Sequence, residues 1–300
     1  MSLSNQAILN DFLNNTTVRR EEYFMESWIK RTRQRIRESV PGSIYCACVN
    51  AMNFVQGRRH RVLPFENGVL SISDGDDTIY ISQRKRHPRY KKGITKWVNS
   101  LAAQYQLNRI SLAPGGVFID CGANVGELGI WARRNGLEYH AFEPESKEAR
   151  CCDLNNYRGE ARTNRMGLWF EDTELKFYSK AHSADSSFIE ISQYDSIKTV
   201  KVATLDQYVQ QKNIKAIEVL KIEAEGAEPE VLRGAEKTLR RCHFVTIDCG
   251  CERGIKGENT IRDACNSVYE RGFRMIDTMV SNERVILMFE NMSQVASKAA

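Results

Sequence analysis

The chain has 300 residues, of which 42% are hydrophobic and 27% charged, with six prolines. This length suits one large domain or two modest ones around a buried core. The composition excludes collagen-like, coiled-coil and wholly disordered chains. No apolar run reaches the roughly 18 residues that would span a bilayer, so no transmembrane segment is expected. The net charge of +5 is unevenly divided: residues 1–110 carry 18 Lys and Arg against 9 Asp and Glu, and residues 111–300 carry 25 against 29.

Residues 1–30 include Asp11, Glu21 and Glu22 and have no sustained apolar stretch. They do not read as a secretory signal, and a cytoplasmic location is expected, with association at a membrane surface as a variant. The nine cysteines include no C-x-x-C pair. Cys46-Ala-Cys48 and Cys249-Gly-Cys251 are weak metal signals, and reduced thiols serving as small apolar residues is the simpler reading.

Residues 17–38 have helical spacing, with Phe24 and Trp28 at i and i+4, a basic face through Arg31, Arg33, Arg35 and Arg37, and Pro41-Gly42 as a stop. Gly68–Ser73 and Thr78–Ser82 read as strands of a hairpin across the turn-rich Asp74–Asp77. A basic stretch, Arg84–Gly93, follows, and residues 94–107 read as an amphipathic helix.

After Pro114-Gly115-Gly116, short apolar strands alternate with helical segments. Strands are expected at 117–120, 139–143, 219–222 and 244–248, and helices at 125–135, 146–156, 205–212, 227–240 and 260–271. This alternation implies a mostly parallel sheet with helices on both faces. Segments 173–178 and 199–202 look strand-like, 273–277 and 284–289 look like a closing antiparallel pair, and 291–300 reads as a frayed tail. The expected organisation is an α+β accessory region over 1–110, an α/β nucleotide-type domain over 111–292, and a tail over 293–300.

The run from Val117 to Gly129 is an apolar strand entering a glycine turn and then a helix. Gly122 and Gly126 remove side chains where the backbone turns and a ligand approaches. Glu143 follows Gly122 by 21 residues, at the end of the second strand, where a carboxylate can accept bonds from both ribose hydroxyls. The dinucleotide pattern G-x-G-x-x-G is broken by Asn124, which disfavours a dehydrogenase using NAD, and no Walker sequence is present. The Asp120–Gly126 turn with Glu143 fits S-adenosylmethionine better, since that donor carries no phosphates.

These elements resemble the FkbM-type methyltransferases. The resemblance rests on Asp120-Cys-Gly-Ala-Asn-Val-Gly126, Ala141-Phe-Glu-Pro144, Ser186-Ser187, Val202-Ala-Thr-Leu-Asp206 and Leu220-Lys-Ile-Glu-Ala-Glu-Gly-Ala-Glu228, and it covers about 112–250. It implies a class I Rossmann-like sheet, S-adenosylmethionine as donor, and O-methylation of a hydroxyl on a sugar or another natural product. The sequence departs from the family at Glu223, where Asp is usual, and at Asp248, where Glu is expected.

A hydroxyl is a poor nucleophile while protonated, so a general base, or a divalent metal that acidifies it, is required. No ligand motif supports the metal. The candidates are carboxylates at the carboxyl ends of the strands: Glu225, Glu223 and Asp248, with His182 beside Ser186 and Ser187 as a further one. Each has a structural alternative. Glu225 can be the dipole partner of the helix near 227, Asn124 can satisfy its own turn, Ser186 and Ser187 can be caps, and His182 can be a solvated loop residue. Asp120, Gly122, Asn124, Gly126 and Glu143 are the expected donor-binding residues.

The basic first third has two readings: a solvated face, or recognition of an acidic carbohydrate or glycoconjugate acceptor. Nucleic acid is disfavoured, because the chain has no Pro-Pro-Tyr/Phe signature of base amino methylation and no Pro-Cys or Thr-Cys nucleophile. A non-catalytic module that keeps the pocket and docks acidic partners is the alternative from another class. Oligomeric state is not encoded in these patterns.

Overall fold

The structure is a computed structural model that describes residues 39–294 except 76, 181–185 and 282–283. The expected helix at 17–38, His182 and residues 295–300 lie outside the described residues.

Among the described residues the first element is α1 (Gly42–Val55), which precedes a three-stranded antiparallel sheet of β1 (Arg61–Pro64), β2 (Leu70–Ser73) and β3 (Thr78–Ile81). The β2–β3 pair is the expected hairpin. Pro41-Gly42, expected as a stop, begins a helix: Pro41 is the N-cap residue of α1, which sequence reading missed. Proline suits a helix start because the first N–H groups need no intrahelical partner. The basic stretch forms a 3-10 segment, Arg84–Tyr90, and leads into α2 (Ile94–Gln104).

The nucleotide-type part follows. It comprises β4 (Val117–Cys121), α3 (Glu127–Arg134), β5 (Glu138–Phe142), α4 (Ser146–Asn156), β6 (Gly167–Leu168), β7 (Thr173–Ser179) and β8 (Ser196–Ala203). Next come α5 (Leu205–Gln211), β9 (Ile217–Ile222), α6 (Glu228–Arg233), α7 (Glu236–Leu239) and β10 (Cys242–Asp248). The chain then adds α8 (Ile261–Tyr269), β11 (Phe273–Ser281) and β12 (Arg284–Asn291). The helix expected over 227–240 is two short ones. It breaks at Gly234, where the backbone packs so closely on Trp169 that a Cβ would collide with its carbonyl oxygen. Nor is the tail frayed from 291: Asn291 is buried and donates to the Cys242 carbonyl at 3.0 Å.

The main sheet has six strands in the order β11-β12-β10-β9-β4-β5. The four from β10 to β5 are parallel, and β12 runs antiparallel to both its neighbours. Alternation along each strand splits the core in two. Phe118, Val219, Phe244 and Met288 face the layer of α2 and α3, while Ile119, Leu220, Val245 and Leu287 face the layer of α5 to α8. The first layer also holds Val62, Ile72, Ile79 and Tyr90, so the amino-terminal elements and the sheet share one apolar cluster. A second three-stranded sheet, β6-β8-β7, joins the second core layer through Leu168, while Val202 belongs to a separate small cluster.

The site is positioned by a reversal of direction. From β4 the chain crosses to β5 on one side, and from β9 it crosses to β10 on the other. The β4–β9 boundary is therefore the topological switch point, where open α/β sheets leave a crevice. Register sets Asp120 opposite Lys221 across that boundary.

Candidate active site at the sheet switch point

A cavity of about 830 Å³ opens over the carboxyl ends of β4, β5 and β9, roofed by the 84–90 segment and by β7–β8. Its floor begins with the glycine turn. Gly122 has φ 77° and packs so tightly that a Cβ would collide with the Glu223 carbonyl oxygen. Gly126 has φ 78° and backs onto α4, where a Cβ would meet Asn156 and lie 2.7 Å from Cys152 Sγ. Asn124, between them, has φ 50°, a conformation Asn tolerates better than most residues. Its Oδ1 is buried with no hydrogen-bond partner among the described residues.

Glu143 reaches this turn from the end of β5. It accepts from the backbone N–H of Asn124 at 2.8 Å and of Glu145 at 2.8 Å. Burial pushes its carboxyl up to about 8 despite these two donors. Each oxygen keeps lone-pair capacity for a ligand hydroxyl.

Asp120 lines the cavity at the end of β4, with its carboxylate already engaged. It accepts from the Tyr139 hydroxyl at 2.7 Å and lies 3.0 Å from Lys221 Nζ. Lys221 is wholly inside, donating to the Gly122 carbonyl at 2.8 Å and pairing with Glu223 at 3.0 Å. Burial disfavours the Lys221 charge, but Asp120 and Glu223 outweigh it and hold the ammonium above its ordinary pKa. This buried ion pair fastens β4 to β9 beneath the turn.

The longer side chain at 223 has a use. Glu223 accepts from the Tyr105 hydroxyl at 2.6 Å and from Arg284 at 2.6 Å while still paired with Lys221. Burial would raise its pKa, but Lys221 and Arg284 prevail and hold it down at about 2. Asp248, the shorter residue, sits behind Arg284, bonded to its Nε at 2.6 Å and outside the cavity wall. Burial and the nearby Glu223 charge push the Asp248 carboxyl up. The two departures from the family pattern thus meet on one guanidinium.

Glu225 does line the cavity, on a backbone with φ 50°. Such a conformation costs a non-glycine residue on the order of 1 kcal/mol and gathers at functional sites. Among the described residues no side chain caps α6; Glu228 instead holds the turn before it, its carboxylate accepting from the N–H groups of Ala224 at 2.9 Å and Gly226 at 3.1 Å. Ser186 lines the cavity as well. Ser187 does not: it is buried, donates to the Glu225 carbonyl at 2.8 Å and accepts from Ile189 N–H at 3.0 Å.

Four contributors escaped sequence reading. Tyr105 and Arg284 lie far along the chain from Glu223. Glu252 lines the cavity from the loop after β10. Arg86, expected only as part of a charge run, is buried against Glu127 at 3.3 Å and also lines the cavity. Glu127 in turn accepts from Tyr90 and Trp97, which docks the 84–97 segment onto the start of α3.

The cysteine pairs do not converge: Cys46 and Cys249 are buried while Cys48 and Cys251 are exposed. Burial pushes the Cys121 thiol up to about 12, so it is no nucleophile at neutral pH. Among the described residues, no three His, Cys, Asp or Glu side chains form a metal-holding group, and no helix is long and apolar enough to cross a membrane.

The model of the methyltransferase FkbM domain matches residues 120–275, slightly more than half of the chain. The sequence is 20% identical over 203 residues to the 2-O-methyltransferase NoeI of Sinorhizobium fredii, covering 61% of this chain and 84% of that protein. Among solved structures it is similar to the methyltransferase FkbM of Methylobacillus flagellatus, with a TM-score of 0.43 and 14% identity over 64% of this chain. The match spans only 50% of that chain. Another is the magnesium protoporphyrin IX methyltransferase ChlM of Synechocystis with bound S-adenosylmethionine, at a TM-score of 0.38 and 12% identity, covering 69% of this chain and 84% of that one.

Proposed function

Because the chain belongs to the FkbM methyltransferase family, and is accordingly an S-adenosylmethionine-dependent methyltransferase, we propose that it methylates a hydroxyl of a sugar or glycoconjugate. The observation that carries this reading is the cavity over the switch point, which joins a glycine-lined turn to a wall of carboxylates and cations. The residues at the turn suit the donor. A Cβ at Gly122 would block the close approach, Asn124 Oδ1 is a buried acceptor awaiting a donor, and Glu143 retains acceptor capacity for ribose hydroxyls.

When bound, S-adenosylmethionine supplies a methyl group already activated by the sulfonium charge. The protein's part is alignment and proton handling. Lys221 and Asp120 fix the floor by joining β4 to β9. Glu223 stays ionised under Lys221 and Arg284, and its negative charge suits a cationic donor better than it suits accepting a proton. Glu225 and Ser186, which line the same cavity, are the residues left to meet the acceptor in this reading.

Oxygen as the acceptor atom is supported by the relative that is a 2-O-methyltransferase. A polyhydroxylated acceptor is supported by the density of polar groups in the wall. An acidic one is supported by Arg84, Arg89, Lys147 and Lys180 in the lining, beside Arg86 and Lys198, which are paired with Glu127 and Glu145. Part of the basic first third therefore lines the site rather than only meeting solvent. We further propose that residues 1–110 serve as the acceptor-recognition part and 111–292 as the donor-binding part.

The test is calorimetry with S-adenosylhomocysteine, then transfer of labelled methyl from S-adenosylmethionine onto neutral and uronic methyl pyranosides. A mass gain of one methyl group on a pyranoside is the expected outcome. Binding without transfer to any pyranoside, but with transfer to a phenolic or carboxylic acceptor, overturns the sugar assignment.

A further inference from the structure

Most carboxylates in the cavity wall are already committed. Glu127 is held by Arg86, Tyr90 and Trp97, Glu145 by Lys198 at 2.8 Å, and Glu148 by Ser82 at 2.8 Å. Glu223 is shared by Lys221, Arg284 and Tyr105. Glu252 differs: it lines the same cavity, and no donor among the described residues bonds its carboxylate.

Glu252 is also held in place by its backbone. Arg253, the next residue, makes two bonds of 2.8 Å to Glu230 on α6 and a third to the Gly226 carbonyl. Gly226 permits that approach, since a Cβ there would lie 2.6 Å from Arg253 Cα. Reciprocal backbone bonds of 2.9 Å between Arg253 and Glu258 close the loop, and Cys249 N–H bonds to Val285 at 2.8 Å at its other end. The loop that bears Glu252 is thereby clamped to the turn that bears Glu223 and Glu225, at the mouth of the switch point.

We propose that Glu252 is the catalytic residue that takes the proton from the acceptor hydroxyl. The proposal rests on the O-methyl transfer reading. In the step, the hydroxyl oxygen bonds to the methyl carbon as the carbon–sulfur bond of the donor breaks, and the sulfur keeps that electron pair. The hydroxyl proton passes to the Glu252 carboxylate, which releases it to solvent.

The surroundings suit this role. Burial comes first, and Asp248 on β10, Glu223 after β9 and Glu228 on α6 add like charge, opposed by Arg284 on β12. Together they push the Glu252 carboxyl up to about 7, where a base is both ionised and basic enough near neutrality. Sequence reading passed it over because Cys249-Gly-Cys-Glu252 follows a strand end with no periodic pattern.

The experiment compares the full chain with its Glu252→Gln and Glu252→Asp variants. With methyl pyranosides as acceptors, Glu252→Gln lowers kcat about 100-fold or more, and Glu252→Asp recovers part of the loss. Affinity for S-adenosylhomocysteine, by calorimetry, stays within about twofold in both. A second readout needs no acceptor: in carbon-13 glutamate-labelled, ligand-free protein, the carboxyl resonance missing from Glu252→Gln titrates at about 7. Wild-type turnover in Glu252→Gln, or titration of that resonance in the ordinary glutamate range, overturns the assignment. If no pyranoside is methylated by the wild-type chain, the sugar reading fails alone and the titration still decides Glu252.

Discussion

Arg284 Nη2 donates to Glu223 Oε1 at 2.6 Å, so the first residue of the last strand neutralises a carboxylate at the end of the central one. The same guanidinium bonds Asp248 through Nε at 2.6 Å. Arg284→Met therefore strands Asp248, which is buried, while Glu223 keeps Lys221. Losing one partner of a buried pair costs about 3–5 kcal/mol. Arg284 is itself 35% exposed, which lowers the expected loss to about 2 kcal/mol. Urea unfolding should show that loss, and Asp248→Asn added to Arg284→Met should recover part of it. Strict additivity of the two changes would deny the pairing.

If Glu143 holds the donor ribose, as proposed, donor binding should be pH-dependent. Its folded carboxyl lies at about 8 against 4.5 for an ordinary glutamate, so between those values the folded chain holds a proton that the unfolded chain has lost. Stability of the ligand-free protein accordingly falls as pH rises through that window, by at most about 1.4 kcal/mol per pH unit. Glu143→Gln removes this fall and is the more stable protein at the upper end. Ribose hydroxyls favour the ionised carboxylate, so binding expels the proton and affinity for S-adenosylhomocysteine rises with pH up to about 8. Calorimetry across pH should find that rise in the wild type, and weak, flatter binding in Glu143→Gln.

The sheet and the glycine turn were legible because their signals are local. Each strand is a short apolar run, the turn residues at 122 and 126 are glycines, and Glu143 sits at the distance one crossover imposes. The charge network was not legible, because its partners meet only after folding: Tyr105 lies 118 residues from Glu223, and Arg284 lies 61. Asp120 and Asp248 read as ligand groups by their place at strand ends, yet each is paired with a cation, Lys221 or Arg284, that the sequence gives no means of assigning. α1 escaped because Pro41-Gly42 signals a stop and a start equally well, and Cys-Ala-Cys carries little periodicity.

Gly122 and Gly126 have similar φ angles, but alanine at the two positions should differ in effect. At Gly122 the new methyl meets the Glu223 carbonyl, a backbone atom held by the β4–β9 pairing. At Gly126 it meets the Asn156 amide and Cys152 Sγ, side chains with more freedom to shift, although Cys152 Cα also lies 3.2 Å away. Strain at positive φ adds about 1 kcal/mol in both, and overlap about 1–3 kcal/mol more. Gly122→Ala is expected to be the more destabilised in urea and to lose S-adenosylhomocysteine binding, with Gly126→Ala keeping measurable affinity. Equal losses would mean that α4 is as unyielding as the sheet.

Glu225 and Glu252 share a cavity and should separate kinetically. Glu225 stands on a strained backbone whose carbonyl is held by Ser187 at 2.8 Å, an arrangement suited to presenting a side chain to an acceptor. An interaction formed with the bound acceptor and kept through the reaction lowers KM without changing kcat. Glu225→Gln should therefore raise KM for the acceptor several-fold at nearly constant kcat, whereas Glu252→Gln lowers kcat. Steady-state kinetics on one methyl pyranoside distinguishes them. A kcat loss of about 100-fold in Glu225→Gln, with Glu252→Gln unaffected, would transfer the proton-accepting role to Glu225.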